Sequence, residues 1–489
     1  MGAGLTRMEA QVSSISTSAT VSVPVLVNGS VQVGQSVTLP AAAASGIEHV
    51  VVVTMENRSF DHLMGWLPGA DGVESGLTFA DANNVPYPTW DLAPDFEGCG
   101  YSDPDHSYSG SRIAYDGGAM DGFLQAGNND VFSIGYYSQA DQPFFSALAQ
   151  NFLVCDRYFV SILGPTFPNR MFLWAAQTDR LDDSLSLSSL PTIFDRLRRA
   201  GISHRYYFNN VPYVSFWGFR YFWSSALFDD FLADAASGNL PAVSFVDPVF
   251  TVLDDGTGND DHPHADIRNG EAFLSTVYQA VTQSPAWSNT VLIITFDEWG
   301  GFFDHVAPPR VIAANGVDTD QVDGSVLLGF RIPAVIVSPF TVNSAGNPPV
   351  SHTVFDHTSI LKLIEWRWGL APLTPRDASP MIGNPATSMN IVSPAATAPS
   401  LAAAAEVAAS PCFQGGIFGA EAAAPRTAAG NPRRNTEWSA FAASPQAQQW
   451  LQHPRFRERV VGKPRVRVNS GRRANAFRES ATAASGELA

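Results

Sequence analysis

Residues 47–66 read IEHVVVVTMENRSFDHLMGW, and the first part of this stretch decides the fold class. Ile47 to Met55 is β-branched and almost uninterruptedly apolar, the pattern of a strand buried on both faces in a parallel sheet. It stops abruptly at Glu56, Asn57 and Arg58. Similar runs recur at 242–246 (AVSFV), 290–296 (TVLIITF) and 333–338 (PAVIVS). Helical patterns lie between and around them, at 143–152, 190–200, 269–283 and 356–368. The alternation predicts an α/β chain with a doubly wound, mostly parallel sheet. Such sheets carry their sites at the carboxyl ends of the strands. The polar clusters at Glu56-Asn57, at Asp297-Glu298 and around Asp260-Asp261-His262 are therefore where chemistry is expected.

Composition narrows the classes. The chain has 489 residues, with 29 Lys and Arg against 46 Asp and Glu, a formal charge of -17 that argues against a nucleic-acid partner. Hydrophobic residues make up 45% and charged ones 15%, which is material for a large core and excludes wholesale disorder. Cys99, Cys155 and Cys412 are too few for a disulfide framework, and at most one pair can form. No apolar run approaches the roughly 18 residues of a membrane-spanning helix, and the first residues lack the basic-then-apolar pattern of a secretion signal.

Three regions are expected. Residues 1–45 form a tail or an edge strand, 46–390 the catalytic domain, and 391–489 an Ala-rich and then Arg-rich extension. About a dozen cations fall in 426–478, a block read first as a solvated extension. The other readings are a docked arm or a surface for anionic lipid.

Three segments hold the candidate chemistry. After the first strand, the Glu56 carboxylate and the Asn57 amide oxygen suit a hard cation, although Ser59 or Asp61 also suits a helix-capping turn. In SILGPTFPNRMFLWAAQ (161–177), Thr166 falls at a helix N-terminus, where backbone N–H groups and the dipole favour an alkoxide and an attached phosphate. Asn169 and Arg170, one turn on, are candidates to hold phosphoryl oxygens; the bland reading leaves Thr166 a cap and Arg170 a surface charge. In TFDEWGGFFDHVAPPR (295–310), Asp297 and Glu298 end a buried strand side by side, which requires a cation or an arginine. His106, His262 and His305 lie in polar segments and are candidate acids, bases or ligands.

Taken together, ENRSFDH at 56–62, PTFPNR at 165–170 and DEWGGFFDHVAPP at 297–309 resemble the phosphoesterase family of bacterial and plant phospholipases C and a related acid phosphatase. The resemblance covers roughly residues 47 to 372. It implies an alkaline phosphatase-like fold, with a central mostly parallel sheet flanked by helices. It also implies metal ligation by Glu56, Asn57, Thr166, Asp297 and Glu298, with Thr166 the nucleophile and His106, His262 and His305 lining the pocket. One divalent ion is expected, Ca, Mg, Mn or Zn, and the Asp260-Asp261-His262 loop leaves room for a second. The larger phosphocholine-preferring members carry C-terminal β modules that this chain lacks, which weakens the case for that headgroup.

The expected activity is metal-dependent hydrolysis of phospholipid phosphodiesters through a phosphothreonine, with His262 as proton donor to the leaving alcohol. A broad-specificity acid phosphatase acting on monoesters is the alternative. An inactive lipid- or phosphate-binding protein is the second alternative, and the complete set of Glu56, Asn57, Thr166, Asp297 and Glu298 counts against it. The expected partners are a phospholipid or phosphate-ester substrate and, peripherally, a membrane surface. By resemblance the protein acts outside the cell or at its surface.

Overall fold

The computed structural model describes residues 18–252, 256–344, 346–395, 397–408, 410–412 and 437–460. The run that ends at Met55 becomes β1 (His49–Met55), buried along almost its whole length. It lies near the middle of an eight-stranded sheet. The other strands are β2 (Leu153–Cys155), β3 (His204–Phe208), β4 (Ser225–Leu227), β5 (Val243–Val246), β6 (Thr290–Phe296), β7 (Ala334–Val337) and β8 (Val350–Ser351), in the order β4-β3-β5-β1-β6-β7-β2-β8. All neighbours pair in parallel except that β7 runs against both β6 and β2. The fold is thus α/β with a mostly parallel central sheet.

All four strand-like runs are strands, and all four helical patterns are helices: α2 (Pro143–Asn151), α4 (Ile193–Ala200), α5 (Ile267–Thr282) and α6 (His357–Trp368). Their starts follow from capping. Asp266 accepts from the Arg268 N–H at 3.0 Å and Asp356 from the Thr358 N–H at 2.8 Å, satisfying donors that a helix leaves open. Two more helices, α1 (Phe60–Met64) and α3 (Thr166–Ala175), follow the first two motifs directly. Helix α3 packs against α6.

Register brings the site together. Val53 pairs with Val246 of β5 and Met55 with Phe296 of β6, so three adjacent strands end side by side in Glu56, Asp247 and Asp297. The Asp297 N–H donates to the Met55 carbonyl at 3.0 Å and fixes the two motif ends against each other.

Both ends of the chain differ from expectation. Residues Ala19–Val27 and Ser30–Leu39 pair as an antiparallel hairpin, a sheet of its own rather than an edge of the main one. Near the C-terminus, α7 (Glu437–Ala443), α8 (Pro445–Leu451) and α9 (Pro454–Val460) form an arm docked on the core, correcting the solvated reading for these residues. Trp438, Phe441, Trp450 and Phe456 are at most 1% exposed, and burying four such rings far outweighs what a solvated tail gains. One disulfide, Cys99–Cys412, ties the start of this region to the catalytic body. No described helix is long and apolar enough to cross a membrane.

Candidate active site

Asn57 takes a left-handed conformation, φ 55°, which asparagine tolerates better than most residues. The turn directs its backbone N–H to Asp297 Oδ1 at 3.1 Å and its side-chain oxygen toward Thr166, whose hydroxyl donates to it at 3.4 Å. Gly300 makes that turn fit. At φ +67° it passes so close that a Cβ would stand 2.0 Å from the Asn57 carbonyl oxygen. Thr166 is the first residue of α3 and is fully buried. The next backbone N–H, of Phe167, donates to Asp183 Oδ1 at 2.8 Å. Burial, then the charge of Glu437, pushes the Asp183 carboxyl well up.

The acids converge on one arginine. Arg170 Nε donates to Glu56 Oε1 at 2.8 Å and its Nη2 closes a second bond to the same oxygen. Its Nη1 reaches Asp247 Oδ1 at 3.0 Å, and its Nε stands 3.5 Å from Asp297 Oδ2. Burial opposes the guanidinium charge, but these three acids outweigh it and hold Arg170 protonated. Asn169 does not face this cluster. Its oxygen accepts from Ile162 N, and its amide donates to the carbonyls of Ile162, Gly164 and Pro165, so it shapes the loop that presents Thr166.

Three polar atoms at the centre are buried without a hydrogen-bond partner among the described residues: Asp297 Oδ2, Glu298 Oε1 and Asn57 Nδ2. Burial and then the adjacent Asp297 charge push the Glu298 carboxyl well above its ordinary range. Glu56 is raised likewise, by burial against the pull of Arg170. Two orphaned carboxylate oxygens beside an amide and a hydroxyl form an oxygen-only donor set, which suits a hard divalent cation. Glu56 could share in that set through Oε2, which accepts one bond, from the Trp438 indole N–H, and so keeps a further lone pair; Oε1 accepts twice from Arg170.

The histidines divide between two places. His106 and His262 lie together, ring centroids 6.2 Å apart, with Nδ1 of each turned to a backbone carbonyl, Pro104 O at 2.8 Å and Pro263 O at 3.0 Å. His262 Nε2 meets Glu437 Oε1 at 3.0 Å. Burial opposes a charge on His262, but the hydrogen bond from Glu437 with the Asp103 and Glu437 charges raises it well above the ordinary imidazole range. Asp103, His106, His262 and Glu437 bring one ligand atom each within 4.8 Å of one another. His305 sits elsewhere. Its Nδ1 is 2.5 Å from Asp61 Oδ2, inside a network in which Arg331 binds Asp61 at 3.0 Å and Asp304 at 2.9 Å. An arginine already neutralises that group of acids. In the 254–271 segment, Asp260 accepts from the backbone and hydroxyl of Thr251, both at 2.6 Å, and so shapes the loop carrying His262.

The motifs did not reveal the arm. Trp438 donates its indole N–H to Glu56 Oε2 at 2.9 Å and stacks on Phe250 with centroids 3.7 Å apart, while Glu437 binds His262. The available signal was Trp438, Phe441 and Trp450 recurring in a region otherwise read as solvated.

A family model for the phosphoesterase family matches residues 47–371, the span that holds all three motifs. The chain belongs to the phosphoesterase family. Among relatives of this phosphoesterase, a non-specific phospholipase C6 of Arabidopsis thaliana is 34% identical over 371 residues, covering 68% of this chain and 71% of that one. Phospholipase C B of Mycobacterium tuberculosis is 32% identical over 423 residues, covering 71% and 78%. A solved protein in the alkaline phosphatase superfamily from Vibrio parahaemolyticus aligns over 80% of this chain and 76% of its own at 12% identity, with a TM-score of 0.31. At that score the fold class rests on the strand order itself. As a member of this family the protein is a hydrolase of phosphoric esters.

Proposed function

We propose that this phosphoesterase hydrolyses phospholipid phosphodiesters in the manner of a phospholipase C, with Thr166 as nucleophile and a divalent cation as cofactor. The observation that carries the reading is the placement of the Thr166 hydroxyl at the start of α3, 3.4 Å from Oδ1 of Asn57, whose own N–H binds Asp297, with Asp297 and Glu298 each keeping one buried oxygen free of hydrogen bonds among the described residues. Asn57, Thr166, Asp297 and Glu298, with Glu56 sharing, would hold the cation, which supplies a lowered hydroxyl pKa and charge neutralisation at the phosphoryl group.

The protein's own groups account for the rest. The Thr166 hydroxyl releases its proton to solvent as its oxygen attacks phosphorus opposite the leaving oxygen, so a P–O bond to threonine forms as the ester P–O bond breaks. Asn169 holds the loop so that this hydroxyl faces the pocket. His262, kept charged by Glu437, gives its Nε2 proton to the departing alcohol by exchanging Glu437 for the leaving oxygen, since its Nδ1 stays on the Pro263 carbonyl. Water then cleaves the phosphothreonine: its oxygen goes to phosphorus, one of its protons to the departing Thr166 oxygen and the other to His262. Arg170 orients Glu56 and offsets the charge of the acids around it. The relatives' names support a phospholipid as substrate.

The test compares p-nitrophenyl phosphorylcholine with p-nitrophenyl phosphate, using wild type and Thr166→Ala. Diester cleavage lost in the variant supports the proposal, and cleavage of the monoester alone moves the reading to an acid phosphatase. For the cofactor, the thermal midpoint of metal-stripped wild type should rise on adding Mg, Ca, Mn or Zn, and Asp297→Asn should lose that rise. No shift with any of the four would refute the metal assignment.

A further inference from the structure

Asp103 is a buried acid without a partner. It is 2% exposed, and neither of its carboxylate oxygens has a hydrogen bond among the described residues. Burial in that state is costly for a carboxylate, and a bound cation removes the cost. The surroundings of Asp103 are those of a cation site. Asp103, His106, His262 and Glu437 place one ligand atom each within 4.8 Å of one another, and they come from three separate stretches of the chain.

Both histidines are set as metal ligands are. Nδ1 of His106 lies 2.8 Å from the Pro104 carbonyl and Nδ1 of His262 lies 3.0 Å from the Pro263 carbonyl. Each Nδ1 thus carries a proton, and each Nε2 is the atom left for a ligand bond. A backbone carbonyl on the far nitrogen is the usual support of a metal-bound imidazole. His262 Nε2 and Glu437 Oε1 are 3.0 Å apart, close to the roughly 3.3 Å between neighbouring ligands on a tetrahedral ion with bonds of about 2.0 Å. The framework is fixed in advance. The His262 N–H donates to Asp260 Oδ1 at 3.2 Å, and Gly301, at φ +75°, passes so close that a Cβ would stand 2.5 Å from Pro104 Cβ. Two imidazoles with two carboxylates suit zinc or a similar transition ion, whereas the oxygen-only set at Asp297 and Glu298 suits a harder one.

We propose that Asp103, His106, His262 and Glu437 bind one zinc-class ion, and that the ion inhibits the enzyme. On binding, the Nε2–H bond of His262 breaks, its proton goes to solvent and the nitrogen lone pair goes to the ion. No proton then remains for a leaving alcohol, so the inhibition, unlike the site, rests on the phospholipase C reading of His262. Zinc thus has two places to enter, and the Asp297→Asn comparison for the oxygen-only site is read with Mg, Ca and Mn.

The probe is cobalt, added to metal-stripped full chain in the presence of excess Mg. Four-coordinate cobalt with imidazole ligands absorbs strongly in the visible, whereas six-coordinate cobalt among oxygens absorbs weakly. Wild type and Asp297→Asn should develop the strong band and lose it to zinc. Asp103→Asn and Glu437→Gln, whose thermal melts report folding, should need at least about tenfold more cobalt. Hydrolysis of p-nitrophenyl phosphorylcholine by wild type should fall as the band grows. Absence of the strong band in wild type, or equal cobalt affinity in the folded Asp103→Asn and Glu437→Gln variants, would overturn the site. A full band with undiminished hydrolysis would overturn the inhibition, and with it the acid role of His262.

Discussion

The Trp438 indole N–H meets Glu56 Oε2 at 2.9 Å, joining residues 382 apart in the chain at the candidate site. Arg170 holds the other oxygen of the same carboxylate, so Glu56 is fixed from two sides. Trp438→Phe keeps the stack on Phe250 but removes the donor. A hydrogen bond to a charged group contributes about 1.5–3 kcal/mol, and loss of that orientation should lower kcat/KM about tenfold or more. Steady-state kinetics beside a thermal melt check this; unchanged kinetics would show that Arg170 alone positions Glu56.

Glu437 sets the proton affinity of His262. The pair holds the ring charged above its ordinary range and the carboxylate ionised below its own. An acid must be protonated to act, so kcat/KM should fall as pH rises through the raised value. Glu437→Gln removes the anion and should move this alkaline limb down by about one unit or more. A limb that stays in place would assign the acid to another group.

Gly300 is where the DEWGG motif constrains ENR. A Cβ there would collide with the Asn57 carbonyl, in a conformation that other residues rarely adopt. Gly300→Ala must displace the Asn57 turn from Thr166 and Asp297, and misplacement by about 1 Å costs roughly 100-fold in rate. Near wild-type turnover by Gly300→Ala would mean that the Asn57 geometry is not limiting.

Arg331 is fully buried between Asp61 and Asp304. Burial, then relief by the arginine, leaves the Asp304 carboxyl at about 6. Arg331→Ala strands two buried carboxyls and should cost about 3–5 kcal/mol in urea unfolding. A loss below about 1 kcal/mol would place the network in solvent rather than in the core.

Glu271 gives stability its own pH dependence. Burial pushes its carboxyl from 4.5 up to about 7, against the Phe145 N–H that donates to it at 2.7 Å. Because the folded value is the higher one, its contribution is complete below pH 4.5 and is lost as pH rises through about 7. Unfolding free energy should decline by about 3 kcal/mol over that window, and Glu271→Gln should flatten the decline.

Local patterns carried much of the architecture. IEHVVVVTM and TVLIITF are strands because continuous β-branched runs have one good solution, a buried parallel sheet, and the acids that end them must then share an edge. The short strands β2, β4 and β8 left no trace, since two or three residues are too few to display a period. The reversed direction of β7 was equally invisible, because an apolar run reads the same in either direction.

The sequence by itself determined which residues are chemically equipped: Glu56, Asn57, Thr166, Asp297 and Glu298 are named by residue type and by position at the end of a strand or the start of a helix, both local properties. Only the tertiary structure decided their company. It gave Arg170 to Glu56 and Asp247, turned Asn169 inward on its own loop, and placed His305 with Asp61 and His262 with Glu437. Those pairings depend on sheet register and on the docking of an arm from the far end of the chain. They follow from the apolar area that packing removes from water, summed over the whole core, and no local pattern records that sum.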